Sequence, residues 1–328
     1  RGLVRGKMDE IVVHTCMLLD GSEMALPDER KKWDMKTKFR VLQRDFAELS
    51  NGKKVIEFEE VVVGSNTMNF DEYVDLRILA FIIFVTNQGI VFDAILKFLR
   101  ENEIDVFELY YSMFKNRNDS PHNTQKIIEE FKNSTIDELW DSPDDLLKNF
   151  QNDAEYKKLL NGEAGTNVIY HYKAAVISES MSDWTEHVIK TAYMIIKQND
   201  MYNDEIQKEF DSVANYCRGL SYNVLGQDRL KTIPQYEFEY DIPSWLSPKN
   251  DKKLDNFKLE RKLEISFQLD DEQFKMVQDN IDVYGHSRIG KSKTLKMLPN
   301  QKLWRRPLVT SNHTTYLCWD DGSDSIEL

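Results

Sequence analysis

The chain has few cysteines, no excess of basic residues and no long apolar run. Its three cysteines, Cys16, Cys217 and Cys318, are far apart in the sequence and form no CxxC pair. Such an odd, scattered set indicates a reducing compartment rather than a disulfide framework. Asp and Glu number 56 against 43 Lys and Arg, a formal net charge of −13. This charge disfavours broad binding to nucleic acids or anionic membranes, since both require basic surfaces.

The most apolar helical stretch, residues 78–85, is much shorter than the ~20 residues that a membrane span requires. We therefore expect a cytoplasmic protein with no nucleic-acid partner and no membrane partner. The chain is 328 residues long and 41% hydrophobic, which is enough for about two domains with ordinary cores.

The first notable feature is an apolar stretch over residues 11–19, followed by the turn signal Asp20-Gly21-Ser22-Glu23. Its β-branched and long aliphatic residues are typical of a strand buried on both faces. In a parallel (β/α) barrel, ligands bind at the carboxyl ends of the strands, where this turn lies. Such a strand needs parallel neighbours before it, and the chain does not begin with Met. We therefore expect the C-terminal part of a larger protein.

The rest of the sequence alternates between strand and helix patterns. Residues 38–42 and 54–64 flank Asn51-Gly52 and predict a β-hairpin. Helical periodicity then extends from Asn69 to about residue 224. Strand alternation returns over 236–240 and 257–269, and a helix is predicted to follow from Asp270 or Asp271.

This pattern predicts an α/β fragment, the end of a partial (β/α) barrel, followed by a mainly α-helical domain and a small terminal α+β element. The predicted domains are the last barrel strand with its hairpin over 1–68, the helical domain over 69–232, the α+β element over 233–308 and a loose tail over 309–328.

Residues 285–292 match the phosphate-binding motif GxxxxGK[ST] letter for letter. In a true phosphate loop, a strand precedes the first glycine, and Lys291 and Ser292 would contact phosphate and magnesium. Here the preceding pattern is helical and few residues follow. A connecting loop is therefore the favoured interpretation, and NTP binding at 285–292 is kept as a third functional alternative.

Polar side chains on and just after the apolar stretch are candidates for a substrate or cofactor pocket. His14, Thr15, Cys16 and Glu23 would face such a pocket at the end of a barrel strand, or would be satisfied within the core. No catalytic residue is assigned, and no metal ligand is predicted, because Cys16 alone is not a plausible one.

Arg40 is a further pocket candidate, on the predicted hairpin. Arg40 and Arg44 have the spacing to share one strand face, where they could bind an anionic group. They could instead pair with Glu57 and Glu59 across the hairpin, and this pairing is the favoured interpretation.

Several short motifs follow one another in a characteristic order along the chain, to about residue 308. They are residues 14–24, Arg30-Lys31-Lys32, 37–42, 55–63, Asn66-Thr67-Met68, Asp71-Glu72-Tyr73 with Arg77, and 236–245. Together they resemble the end of the catalytic barrel in radical S-adenosylmethionine proteins, in the branch with an N-terminal cobalamin-binding domain. The shared pattern is a strand, a G-[ST]-E turn, a charged helix and a "t-x-FR-v" strand.

The resemblance implies reductive cleavage of S-adenosylmethionine to a 5′-deoxyadenosyl radical at a four-iron four-sulfur cluster, with cobalamin often a methyl carrier. The CxxxCxxC loop that binds this cluster is absent from the chain. The resemblance therefore places the cluster ligands, the cobalamin domain and the remaining barrel in an N-terminal part, which would be the partner of this chain.

By the same resemblance, this chain would supply pocket and lid elements for a small-molecule substrate and would be inactive alone. Its substrate and reaction type are not indicated. A non-catalytic helical interaction module is the main alternative.

Overall fold

The computed structural model describes residues 2–6, 11–87, 89–199, 202–226, 228–247, 250–311 and 314–317. The protein is mixed α and β, with helices prominent and two small antiparallel sheets. It divides into two compact units. One, here called the hairpin unit, comprises Val12–Phe81 and Lys126–Lys173. The other, here called the four-stranded unit, comprises Arg1–Ile11, Ile82–Gln125 and Ala174–Leu328.

The helices of the described chain are short to medium in length. In order, they are α1 (Gly2–Arg5), α2 (Pro27–Lys32), α3 (Phe70–Thr86), α4 (Asp93–Glu101), α5 (Val106–Lys115), α6 (His122–Asp137), α7 (Pro143–Gln151), α8 (Asp153–Asn161), α9 (Val168–Ala175), α10 (Met181–Lys197), α11 (Asp204–Ser221), α12 (Ile242–Leu246), α13 (Asp271–Tyr284), α14 (Arg288–Met297) and α15 (Asn300–Leu303). The strands are β1 (Lys36–Glu48), β2 (Lys54–Gly64), β3 (Gln235–Tyr240), β4 (Lys258–Gln268), β5 (Arg306–Ser311) and β6 (Thr314–Leu317).

Strands β1 and β2 form the predicted antiparallel hairpin, with Gly52 at a positive φ of 78° in its turn. The register pairs Arg40 with Glu59 and shifts between Val41 and Phe46. Residues 42–45 therefore form a bulge, in which Arg44 has a φ of 64°. The hairpin packs on α7 and α8 through a core made of Val41, Ile56, Leu146, Phe150, Tyr156 and Leu159.

The stretch 11–19 forms no regular strand and only one isolated bridge, between Met17 and Val61, antiparallel to β2. The Leu18 amide donates to Glu60 O, and the Val62 amide donates to Cys16 O, both at 2.9 Å. Val13, Met17 and Leu19 are 44, 41 and 62% exposed. The prediction of a strand buried on both faces is therefore wrong for this chain, because these three side chains are exposed and residues 11–19 form no regular strand.

The predicted helical region from Asn69 is confirmed, and its helices are divided between the two units. Helix α3 begins with a reciprocal cap, in which the Glu72 amide donates to Asn69 Oδ1 and the Asn69 amide donates to Glu72 Oε2. Asp270 and Gln273 form the equivalent capping box at α13. These caps satisfy backbone amides that a helix start leaves without partners.

In the four-stranded unit, the sheet has the order β3-β4-β5-β6 with antiparallel neighbours. Strands β3 and β4 match the two predicted strands. The prediction of a loose tail from residue 309 is wrong for 309–311 and 314–317, because these residues lie in β5 and β6. The other residues of the predicted tail, Cys318 among them, lie outside the described ranges.

The favoured interpretation of the GxxxxGK[ST] segment as a connecting loop holds only for residues 285–287, because residues 288–292 form the first turns of a helix. Helix α13 ends at Tyr284, Gly285 has a φ of 84°, and α14 begins at Arg288. A Cβ on Gly290 would lie 2.2 Å from Tyr284 O. The close approach of α14 to the end of α13 therefore requires glycine at position 290.

No helix in the described ranges is both long enough and apolar enough to span a membrane.

Candidate functional site

Arg40, on β1 of the hairpin unit, bonds three side chains that are distant in sequence. Its Nε donates to Glu59, its Nη1 donates to Glu138 Oε1 at 2.9 Å, and its Nη2 donates to Thr15 Oγ1 at 2.9 Å. The side chains of Arg40, Glu59 and Glu138 are 12, 11 and 18% exposed. We call Thr15, Arg40, Glu59 and Glu138 the Arg40 cluster.

Backbone pairing brings the members of the cluster together. Glu59 lies opposite Arg40 in the hairpin register. Glu138 follows α6, and its neighbourhood is tied to β1 because Phe39 and Trp140 exchange backbone hydrogen bonds of 2.8 and 2.7 Å. The bridge between Met17 and Val61 holds the segment that carries Thr15 beside β2. Three separate parts of the chain thus meet at one guanidinium.

Tyr73 and Arg77 lie next to this cluster, four residues apart on α3 and therefore on one helix face. They are 5 and 9% exposed. Among the described residues, neither the Tyr73 hydroxyl nor Arg77 Nε has a hydrogen-bond partner. Arg77 lies close enough to Tyr73, Glu138 and Arg40 for each to influence its pKa.

Burial and charge pairing act against each other in this site. Burial raises the pKa of Glu138, while Arg40 and then Arg77 lower it, and the net direction is upward. Burial lowers the pKa of Arg40, but the Glu138 and Glu59 carboxylates more than offset it. Arg77 has no such bonded carboxylate, and burial lowers its pKa. The site therefore holds one arginine that is fully paired and one that is not.

Two of the five predicted pocket residues, Thr15 and Arg40, are in direct contact. The predicted pairing of Arg40 with Glu59 is confirmed, whereas Arg44 lies exposed in the bulge.

The other three predicted residues, His14, Cys16 and Glu23, are exposed. In the described part of the chain no hydrogen bond joins them to the Arg40 cluster.

Tyr73, Arg77 and Glu138 are not among the pocket residues predicted from the sequence. A sequence pattern could have identified Tyr73 and Arg77, because two polar residues four apart interrupt the apolar face of a predicted helix. No sequence pattern identifies Glu138, since its position depends on pairing between Phe39 and Trp140, about a hundred residues apart in the chain.

An open cavity of about 640 Å³ lies beside the segment that follows Glu138. Its lining residues, polar and acidic for the most part, are Leu139, Trp140, Asp141, Asp145, Lys148, Asn149, Asn152 and Glu155. Trp140 contributes to the cavity wall while its backbone bonds to Phe39. Glu138 of the Arg40 cluster and Trp140 of the cavity wall therefore belong to the same short backbone segment.

The residues present do not fit an iron–sulfur cluster. Within the described ranges no three His, Cys, Asp or Glu side chains are placed to hold a metal ion. Cys16 is exposed and Cys217 is buried, and they belong to different units. No chemical step is therefore assigned to a cluster held by this chain.

The chain matches no protein-family model, and comparison with curated proteins finds none with significant similarity to it.

Proposed function

We propose that the chain is the C-terminal part of a radical S-adenosylmethionine enzyme of the cobalamin-binding branch. Its hairpin unit would close the catalytic barrel and line the pocket for a small-molecule substrate. The observation that carries this proposal is the one-sided pairing of residues 11–19, which expose apolar side chains and carry Thr15 to the Arg40 cluster.

One edge of this segment is bonded to β2, and no strand of the described chain lies along its other edge. Val13, Met17 and Leu19 are exposed along it. An extended edge with apolar side chains favours pairing with a further strand. In the proposed enzyme, that strand is the preceding strand of the barrel, from the N-terminal part of the same protein.

The Arg40 cluster supports a role in a pocket. A buried arginine with two carboxylates is a costly arrangement, and it stabilises a fold less than apolar packing of equal volume would. Such groups are concentrated at functional sites. Under this proposal the cluster lies at the barrel mouth and shapes the substrate pocket.

The proposed enzyme would bind S-adenosylmethionine, a four-iron four-sulfur cluster and, in this branch, cobalamin, with the cluster ligands upstream of this chain. We also propose a cytoplasmic location, which suits an oxygen-sensitive cluster and the scattered cysteines.

A non-catalytic helical interaction module is the alternative, and the prominence of helices in the described chain supports it. The two functions differ in what the complete protein should contain. An enzyme of the proposed class contains iron and absorbs visible light, whereas an interaction module does neither.

The test is to express the complete coding sequence anaerobically and to record iron content and visible absorption. We expect cluster absorption that disappears when the cysteines of an upstream CxxxCxxC loop are replaced by alanine. A colourless, iron-free protein would overturn the proposal and favour the interaction module.

A second measurement tests the barrel edge. Met17→Lys should impair assembly of the complete protein and lower its iron content, because the charge would be buried against the neighbouring strand. Val283→Lys is the matched control, since Val283 is also an exposed apolar residue, at 74%. Equal iron content in the two variants would argue against a barrel strand at this edge.

A further inference from the structure

Arg77, in the hairpin unit, is a buried charged residue whose guanidinium lacks a bonded carboxylate among the described residues. It is 91% buried, its Nε has no partner, and no residue in the described part of the chain accepts a hydrogen bond from it. The nearby carboxylates of Glu59 and Glu138 bond to Arg40 instead. Buried charges in proteins are normally paired, so an unpaired buried guanidinium indicates a missing partner.

Tyr73 repeats this observation independently. Its hydroxyl is buried and finds no partner in the described ranges, although it lies one helical turn from Arg77. Burial raises the pKa of this hydroxyl, so at neutral pH it keeps its proton and can donate. A guanidinium has hydrogen-bond donors only, and a protonated phenol can donate one hydrogen bond as well as accept. Both can therefore donate to one acceptor, and the positive charge of Arg77 favours an acceptor that carries negative charge.

We propose that Tyr73 and Arg77 form a binding site for an oxyanion, the carboxylate or phosphate group of a small-molecule ligand. Arginine binds both groups through a planar pair of N–H donors. The Arg40 cluster beside it has partial access to solvent, since its charged side chains are 11–18% exposed. This inference deepens the proposed function, on which it rests for the identity of the ligand as a substrate.

The charges around the site favour an anion over a second cation. Arg40 and Arg77 balance Glu59 and Glu138 in number, but both carboxylates are bonded to Arg40. An arriving oxyanion would therefore meet the unpaired Arg77 and the neutral donor of Tyr73. Bonds to a buried charged group are stronger than neutral ones, so Arg77 should contribute more affinity than Tyr73.

The experiment is a calorimetric titration of the 328-residue chain with inorganic phosphate and, separately, with acetate. Sodium chloride holds the ionic strength constant, so that general screening does not change. Arg77→Met and Tyr73→Phe are the test variants. Arg261→Met is the control, because Arg261 is exposed on β4 of the other unit.

We expect wild type and Arg261→Met to bind at least one of the two anions with equal affinity. Arg77→Met should bind at least about tenfold more weakly, as the loss of a charge-assisted hydrogen bond predicts. Tyr73→Phe should show a smaller loss. Binding of acetate identifies a carboxylate site and binding of phosphate alone a phosphate site, and either result supports the proposal.

The proposal is overturned if neither anion binds wild type, or if Arg77→Met binds as tightly as wild type, which would mean an adventitious ion only. Arg77→Met should fold, because it removes an unpaired buried charge. If it does not, Tyr73→Phe decides, and undiminished binding by that variant overturns the proposal. A negative result in this titration would not alter the iron content or visible absorption of the complete protein. The anion site and the proposed enzyme function can therefore be disproved independently.

Discussion

Arg40 and Glu138 lie 98 positions apart in the sequence, yet Arg40 Nη1 donates to Glu138 Oε1 at 2.9 Å. The bond joins β1 to the end of α6, within the hairpin unit. Because Arg40 also bonds Glu59, removing this one side chain would leave two carboxylates without their buried counter-charge. The stability of the hairpin unit should therefore depend on Arg40 in a pH-dependent way.

Arg40→Met should lower the free energy of unfolding by about 3 kcal/mol at neutral pH, because uncompensated buried charges are costly. The loss should shrink in acid, where Glu138, whose pKa is raised mainly by burial, takes up a proton and no longer needs a counter-charge. Denaturant unfolding at several pH values measures both effects. Lys36→Met is the control, since Lys36 and Asp34 form a mostly exposed pair that should be worth less than about 1 kcal/mol. A pH-independent loss would contradict the prediction.

Glu209→Gln should stabilise the protein above neutral pH. Glu209 is buried on α11, and burial, followed by the charges of Asp255, Glu205 and Glu101, raises its pKa from 4.5 to about 7, while Lys258 lowers it. The folded state therefore keeps a proton that the unfolded chain loses. Its contribution is complete below pH 4.5 and is lost as the pH rises through about 7.

The gain of Glu209→Gln should be near zero in acid and roughly 1–3 kcal/mol at alkaline pH, since each pKa unit corresponds to about 1.4 kcal/mol. Thermal unfolding at several pH values measures it. Glu260→Gln, at an exposed position of β4, should show no such trend. Parallel pH profiles for wild type and Glu209→Gln would refute the prediction.

Gly219→Ala should destabilise the protein although alanine is the better helix former. Gly219 lies within α11, and a Cβ there would be 2.4 Å from Cδ2 of the Phe267 ring. Overpacking of this kind costs about 1–3 kcal/mol, which exceeds the ~1 kcal/mol that alanine gains in a helix. Denaturant unfolding gives the net effect.

A double mutant isolates the cause of the Gly219→Ala effect. In a Phe267→Leu background, the ring is gone and the added methyl should cost much less, a coupling that a double-mutant cycle detects. Equal losses in both backgrounds would mean that contact with Phe267 is not the reason.

Wild type should bind no magnesium–ATP at residues 285–292, and Lys291→Ala should show the same lack of binding. A phosphate loop needs free backbone amides, but the Gly290 amide donates to Ser287 Oγ at 3.1 Å and the Lys291 amide donates to Ser287 O at 2.9 Å. Equilibrium binding of a fluorescent ATP analogue checks this. Binding by wild type that Lys291→Ala abolishes would restore the third alternative.

Features set by nearby residues could be predicted from the sequence. Asn51-Gly52 indicated the hairpin, and Asn69 and Asp270 indicated helix starts, because turns and caps depend on a few adjacent residues. The pairing of Arg40 with Glu59 followed from the hairpin register.

Features that depend on distant pairing could not be predicted. The partner of residues 11–19 is β2 and not a parallel strand, and an apolar run does not reveal how many of its edges are paired. Strands β5 and β6 were missed because their polar sequence is typical of a loop, while pairing with β4 makes them part of a sheet. Glu138 reaches the site only through the pairing of Phe39 with Trp140.

The open edge of residues 11–19 has a consequence for work with the purified chain. Val13, Met17 and Leu19 are exposed beside a backbone edge along which the described chain places no strand, and this edge forms a template on which two copies can join. We expect the sedimentation coefficient of the chain to depend on its concentration. Storage at high concentration without denaturant should promote precipitation. A fusion or co-expressed segment that occupies this edge should then keep the preparation monodisperse.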